Sequence, residues 1–134
     1  MRHTSKQLIR WADLDEFGHV NNAAYAIYMQ EAKGDMVWYS RERAGKKPIL
    51  YQMVIAKLEV DYIAPIHKSG SEVEVDVWVE KIGNSSFVFA YEIRFEGTVR
   101  ATGKTVQVAV DEVEEKSRPL TEEEREFLTQ YLEA

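Results

Sequence analysis

No cysteine occurs anywhere in the 134 residues. Disulfide bonds, thiol nucleophiles and zinc–thiolate centres are excluded together, and the absence fits a reducing compartment. No apolar run approaches the roughly 20 residues needed to span a bilayer, so no membrane partner is expected. The first residues, MRHTSKQLIRW, lack the apolar core of a secretory signal, which makes the cytoplasm the expected location. Cations are outnumbered, 17 Lys and Arg against 23 Asp and Glu, for a net charge of −6. That balance argues against a nucleic-acid partner, which calls for a basic patch. It leaves room for a small anionic ligand held by a few local cations. Also missing are a Gly-rich phosphate loop and a G-x-S-x-G nucleophile elbow. No repeat, linker or low-complexity segment interrupts the chain. With 45% hydrophobic and 30% charged residues, the composition is that of an ordinary globular protein, and one domain over residues 1–134 is expected.

Hydrophobic periodicity sets the elements. Thr4 to Ala12 reads as a first strand, followed by a polar loop from Asp13 to Asn21. From Asn22 to about Ala44 the spacing predicts a helix. Tyr25, Met29, Ala32, Met36 and Tyr39 form one stripe, widened by Tyr28 and Trp38. Apolar residues all round the stretch from Ala23 to Met29 predict burial on several sides. Gly34 within it would permit a strand to approach closely. Gly45, with Pro48 beyond, supplies the stop. The remainder alternates with period two. Val54 to Tyr62, closed by Pro65, Val73 to Val79, Phe87 to Phe95, and a last strand lined by Val106, Val108 and Val110 read as a four-strand antiparallel meander. Thr121 to Glu124 is a capping box that opens a final helix. Strand, long helix, four strands, helix makes an α+β layer arrangement. A curved antiparallel sheet must wrap the long helix to bury so much of it.

The stretch Trp11–Glu31, WADLDEFGHVNNAAYAIYMQE, carries the chemistry. Asn is a favoured N-cap, and a helix start offers unpaired N–H groups at the positive end of the helix dipole. A carboxylate in the preceding loop can face the same cavity as those N–H groups. Such a pair can polarise a carbonyl and supply a base or nucleophile without His, Cys or metal. The competing role for Asp15 is an Asx-turn. Other constellations fit poorly. Asp13-Leu14-Asp15 resembles a D-x-D phosphotransfer start, but Phe17 stands where Thr or Val is required. Asp13, Asp15 and His19 suggest a metal, but His3 and His67 have no ligand-like spacing to them. Serines abound for a Ser-His-Asp triad, but none sits on a nucleophile elbow.

The same run resembles the signature of the 4-hydroxybenzoyl-CoA thioesterase family, acyl-CoA thioesterases of the hot-dog fold. The pattern D-x-D-x-x-G-H-V-N-N-x-x-Y is carried here by Asp13, Asp15, Gly18, His19, Val20, Asn21, Asn22 and Tyr25. The segment VDYIAP, Val60 to Pro65, looks typical as well. The resemblance implies a hot-dog fold, a long central helix wrapped by a curved antiparallel sheet, and hydrolysis of an acyl-CoA thioester to free acid and CoA. It implies that Asp15 is the active carboxylate and that a backbone N–H near Asn22 points at the thioester oxygen. Gly18, His19, Asn21, Tyr25 and Tyr62 become the substrate-binding candidates, with Tyr28 beside them; core packing is the competing role for each tyrosine. Gln30 and Glu31 lie far along the helix. Lys81, Arg100 and Lys104 are the candidate cations for the CoA phosphates. No metal or cofactor is required, CoA being part of the substrate. Edge-to-edge homodimers, pairing further into a homotetramer, are implied. The alternatives are a non-catalytic acyl-thioester-binding hot-dog protein and a thioesterase acting on acyl carrier protein. The net negative charge disfavours an acidic carrier protein.

Overall fold

Strand alternation decides which face of the sheet turns inward. The computed structural model describes residues 1–133. In β3 (Glu72–Ile82) Val73, Val75, Val77 and Val79 are buried, and in β4 (Ser86–Phe95) Phe87, Phe89, Tyr91, Ile93 and Phe95. These two strands pair antiparallel at the centre of one curled sheet. β1 (His3–Leu8) adds on the β3 side, and β5 (Thr98–Asp111) on the β4 side. β2 (Met53–Tyr62) lies outside β5, giving the order β1-β3-β4-β5-β2, with the two-residue β6 (Lys116–Ser117) paired to the end of β5.

The expected four-strand meander is therefore a three-strand one. β2 and β3 are consecutive in the chain but lie on opposite sides of the sheet. The connection between them, residues 63–71, crosses past the helix start, where the Val20 N–H donates to the Ile66 carbonyl at 2.7 Å. Pro65, which cannot donate to a ladder, ends β2 and leaves room for that crossing.

The last strand also departs from expectation. Its buried residues are Ala101, Gly103, Thr105, Gln107 and Ala109, while Val106, Val108 and Val110 are only partly covered. Pairing with β4 fixes this face: Phe89 lies opposite Thr105 and Phe87 opposite Gln107. Register with the inward-facing aromatics of β4 thus turns Thr105 and Gln107 inward and the valines alternating with them outward. The buried polar groups satisfy one another, Tyr91 Oη to Thr105 Oγ1 at 3.0 Å and Gln107 Nε2 to Thr105 Oγ1 at 3.2 Å.

The long helix runs from Asn22 to Arg43 in three parts: α1 (Asn22–Gly34), a π-helical segment (Asp35–Tyr39) and α2 (Ser40–Arg43). Ala24, Tyr25, Tyr28, Met29, Ala32 and Met36 face the sheet. The wider π turn adds a residue. It rotates the chain beyond Met36, so Tyr39 is 57% exposed and Trp38 44%, whereas the unbroken stripe predicted both inside. Burial is one-sided, since Ala23, Ile27 and Gln30 face outward. Close approach to the sheet occurs at Gly103 on β5, where a Cβ would lie 2.5 Å from Met29 Cε; at Gly34 it would meet nothing within 4 Å.

The first strand is shorter than its pattern, ending at Leu8, and Trp11–Asp13 form a single 3₁₀ turn. α3 (Glu122–Gln130) opens with the expected capping box, Thr121 Oγ1 accepting from the Glu124 N–H at 3.1 Å while the Glu124 carboxylate accepts from the Thr121 N–H at 2.9 Å. Phe127 and Leu128 anchor it. Among the described residues no helix is long and apolar enough to cross a membrane.

Candidate active site

The loop between β1 and α1 is held by Asp13. Its buried carboxylate accepts from the Arg10 backbone N–H at 3.0 Å, the Arg10 guanidinium at 2.8 Å and the Tyr28 hydroxyl at 2.8 Å. Its carbonyl accepts from both the backbone N–H and the side-chain amide of Asn21. Burial raises the Asp13 pKa, but the Arg10 and Tyr28 hydrogen bonds outweigh it and hold the group below the usual carboxylate value. Asp13 is thus a charged structural peg that fixes where the helix begins.

From that peg the chain makes a narrow excursion, Leu14 bridging Val20. Asp15 Oδ1 accepts from the N–H groups of Phe17 at 2.9 Å and His19 at 3.1 Å, an Asx-turn. Gly18, at φ +75°, supplies the left-handed residue that closes it. Both bonds fall on Oδ1; Oδ2 accepts none from the described residues.

Asn21 caps the helix, its Oδ1 accepting from the Ala24 N–H at 3.0 Å. The N–H groups of Asn22 and Ala23 have no protein acceptor among the described residues. These free donors carry the positive end of the helix dipole.

Asp15, His19, Asn22, Tyr25 and Tyr62 line one cavity of about 270 Å³. Ile63, Ala64 and Pro65, from the β2–β3 connection, complete its wall with Val20. Tyr62 and Tyr25 meet edge to face, centroids 4.9 Å apart, and the Tyr62 hydroxyl donates to the Asn22 carbonyl at 2.9 Å. Burial raises the Tyr25 pKa, keeping it a neutral phenol. The sequence marked the two ends of this wall, Tyr62 and Pro65, but not Ile63 or Ala64 as lining residues. The signal was the proline that stops β2 beside the loop.

The other candidates lie elsewhere. Gly18 and Asn21 shape the loop and do not line the cavity. Tyr28 is turned to Asp13, so it serves the peg and not the pocket. Gln30 is exposed, and Glu31 borders recesses beside β1. Of the three candidate cations none lines the cavity: Lys104 pairs with Glu80 at 2.8 Å, Lys81 is exposed, and Arg100 donates to the Pro65 carbonyl at 2.9 Å, behind the wall. Among the described residues no group of three or more His, Asp and Glu is arranged to hold a metal ion. The inward turn of Asp13 removes it from Asp15 and His19.

A long helix laid on one curled antiparallel sheet, with a carboxylate loop at its N-terminus, defines a hot-dog-fold protein. Residues 9–128 match the thioesterase-like superfamily, and the chain belongs to it. An uncharacterised protein of Bacillus subtilis (strain 168), YsmA, is 27% identical over 125 residues, which are 92% of this chain and 83% of that one. Among solved structures, a predicted thioesterase from Bacillus stearothermophilus superposes with a TM-score of 0.85 at 24% identity, covering 99% of this chain and 98% of that one. A thioesterase from Thermus thermophilus, complexed with coenzyme A and zinc, is 30% identical with a TM-score of 0.78, covering 96% of this chain and 92% of that one.

Proposed function

We propose that the protein hydrolyses an acyl-CoA thioester to the free acid and CoA. The observation that carries this reading is the meeting, in one cavity, of Asp15 and Asn22, the first residue of the helix, whose N–H has no protein acceptor among the described residues. A thioester carbonyl seated there accepts from the Asn22 N–H, and the dipole favours the negative charge that develops on its oxygen. As general base, Asp15 takes a proton from water while the water oxygen attacks the carbonyl carbon. The tetrahedral intermediate collapses, the C–S bond breaks, and the sulfur leaves with the electron pair and takes up the proton. As nucleophile, Asp15 would instead expel the thiolate and form an anhydride that water opens. His19 orders the loop, and Tyr25 and Tyr62 meet the acyl group.

The Thermus relative's complex with CoA supports CoA as the carrier, and the net charge of −6 disfavours an acidic carrier protein. The reading places the protein in the cytoplasm, calls on no cofactor, and extends the family likeness to 4-hydroxybenzoyl-CoA thioesterases. It also takes the unpaired edge of β2 as the seat of an isologous dimer. The test is a hydrolysis panel over aryl- and alkyl-CoA esters of graded length, followed by thiol release. Turnover above the buffer rate for at least one class is expected. Saturable binding without turnover across the panel would make the protein a thioester-binding member of the superfamily and not an enzyme.

A further inference from the structure

A second cavity, of about 230 Å³, lies between the sheet and the C-terminal half of the long helix and shares no lining residue with the Asp15 cavity. Phe89 and Gln107, both buried, come from β4 and β5; Lys33, Val37, Trp38 and Tyr51 come from the helix and the segment after it.

Three features converge there. The first is the charge on Lys33. Its helical neighbours at three and four residues are Met29, Gln30, Met36 and Val37, none of them acidic. Among the described residues it makes no ion pair and no side-chain hydrogen bond, whereas Arg94, Arg118 and Lys104 all lie against carboxylates. Lys33 is half-buried, and that burial lowers its pKa, as for a cation partly withdrawn from water with no carboxylate beside it. The second is the π-helical segment, which starts two residues after Lys33 and brings Val37 and Trp38 to the wall. Such interruptions are rare and cluster at functional sites. The third is backbone strain. Leu50 at φ 63° and Gln52 at φ 59° are both non-glycine residues in the left-handed region, flanking Tyr51. Held between them, Tyr51 stands edge-on to Trp38, centroids 5.9 Å apart.

We propose that this cavity is a binding site for a monocarboxylic acid with an aromatic or medium-chain alkyl body, the carboxylate on Lys33 and the body against Trp38, Tyr51 and Phe89. An incoming carboxylate supplies the counter-charge that the chain withholds from Lys33, and the aromatic walls take the apolar part. The acid released by the protein's own reaction and an unrelated cellular acid share this chemistry. The site stands on its own geometry, so its failure leaves the thioesterase reading untouched.

The test titrates octanoate and benzoate, with octanamide as the neutral counterpart, into the full chain and follows calorimetry and tryptophan fluorescence. Saturable binding is expected, with a fluorescence response from Trp38 that Trp38→Phe abolishes. Lys33→Met keeps the apolar stem and should weaken the acids by about tenfold or more, while Lys33→Arg retains them and octanamide binding is unchanged. Lys33→Gln is the second neutral variant should Lys33→Met fail to fold. Asp15→Asn should bind the acids as the parent does, which separates this site from the thioester cavity. The preference between the acid of the best-hydrolysed thioester and an unrelated acid of equal size identifies the source. Absence of saturable binding by the parent, equal acid affinity in folded Lys33→Met or Lys33→Gln, or loss of binding in Asp15→Asn would each overturn the proposal.

Discussion

Asp13 and Asp15 stand two residues apart in one motif and have opposite fates. Asp13 is buried and accepts three bonds from Arg10 and one from the Tyr28 hydroxyl; Asp15 sits at a cavity wall with one oxygen free of donors among the described residues. The difference has a pH signature. Burial raises Asp13, Asp35, Asp76 and Glu124, but the hydrogen bonds and cations around them outweigh it and leave all four depressed. A depressed carboxylate adds stability above its unfolded pKa, and that stability is lost as pH falls through the folded value. Thermal unfolding is therefore expected to be nearly flat through neutral pH and to fall below about pH 4, with the loss continuing well under it. In Asp13→Asn the parent should lose its advantage over the same acid range. A parent whose melting temperature is constant from neutral pH down to about pH 3 would rule out these pairs as sources of stability. The motif placed the two carboxylates together but did not say which faced inward, because Tyr28 reaches Asp13 from fifteen residues away.

At the scale of elements, local rules were legible and distant pairings were not. Asn21 and Thr121 cap their helices as their neighbours in sequence dictate. The strand order was hidden, since nothing near β2 in the chain says that it pairs with β5 and not β3. The inward face of β5 was hidden for a related reason: its valines alternate convincingly, but the register with β4 turns Thr105 and Gln107 inward instead. Gly103 is the sharpest case. A Cβ there would sit 2.9 Å from the Glu59 carbonyl of the neighbouring strand as well as against Met29. Met29 can swing aside, but a ladder carbonyl cannot. Gly103→Ala is expected to cost about 1–3 kcal/mol through overpacking, read by urea unfolding, while Gly34→Ala is neutral or stabilising because space there is open and the backbone helical. Equal midpoints for Gly103→Ala and the parent would contradict the close approach.

At the scale of the molecule, β2 offers a ten-residue edge with one side unpaired among the described residues, and Val54, Ile55 and Leu58 on it are each about half exposed. An apolar edge strand left open invites pairing with another chain, and an isologous contact closes it after two copies. Sedimentation equilibrium at micromolar concentration is expected to give at least twice the 15.5 kDa of the chain; a 15.5 kDa particle would exclude the dimer. The superfamily was legible in a single run of residues because cap, turn glycine and carboxylate are all local. The β2–β3 wall that encloses them came only with the fold.

The central claim rests on Asp15 and is tested most directly by the kinetics of Asp15→Asn on the best-hydrolysed thioester. The substitution keeps size and turn-forming ability but removes the charge and basicity. With the variant first shown folded and assembled like the parent, kcat is expected to fall by about 10²–10⁴ with KM little changed, while Asp13→Asn acts on stability. Near-parental turnover by a folded Asp15→Asn protein would contradict the account.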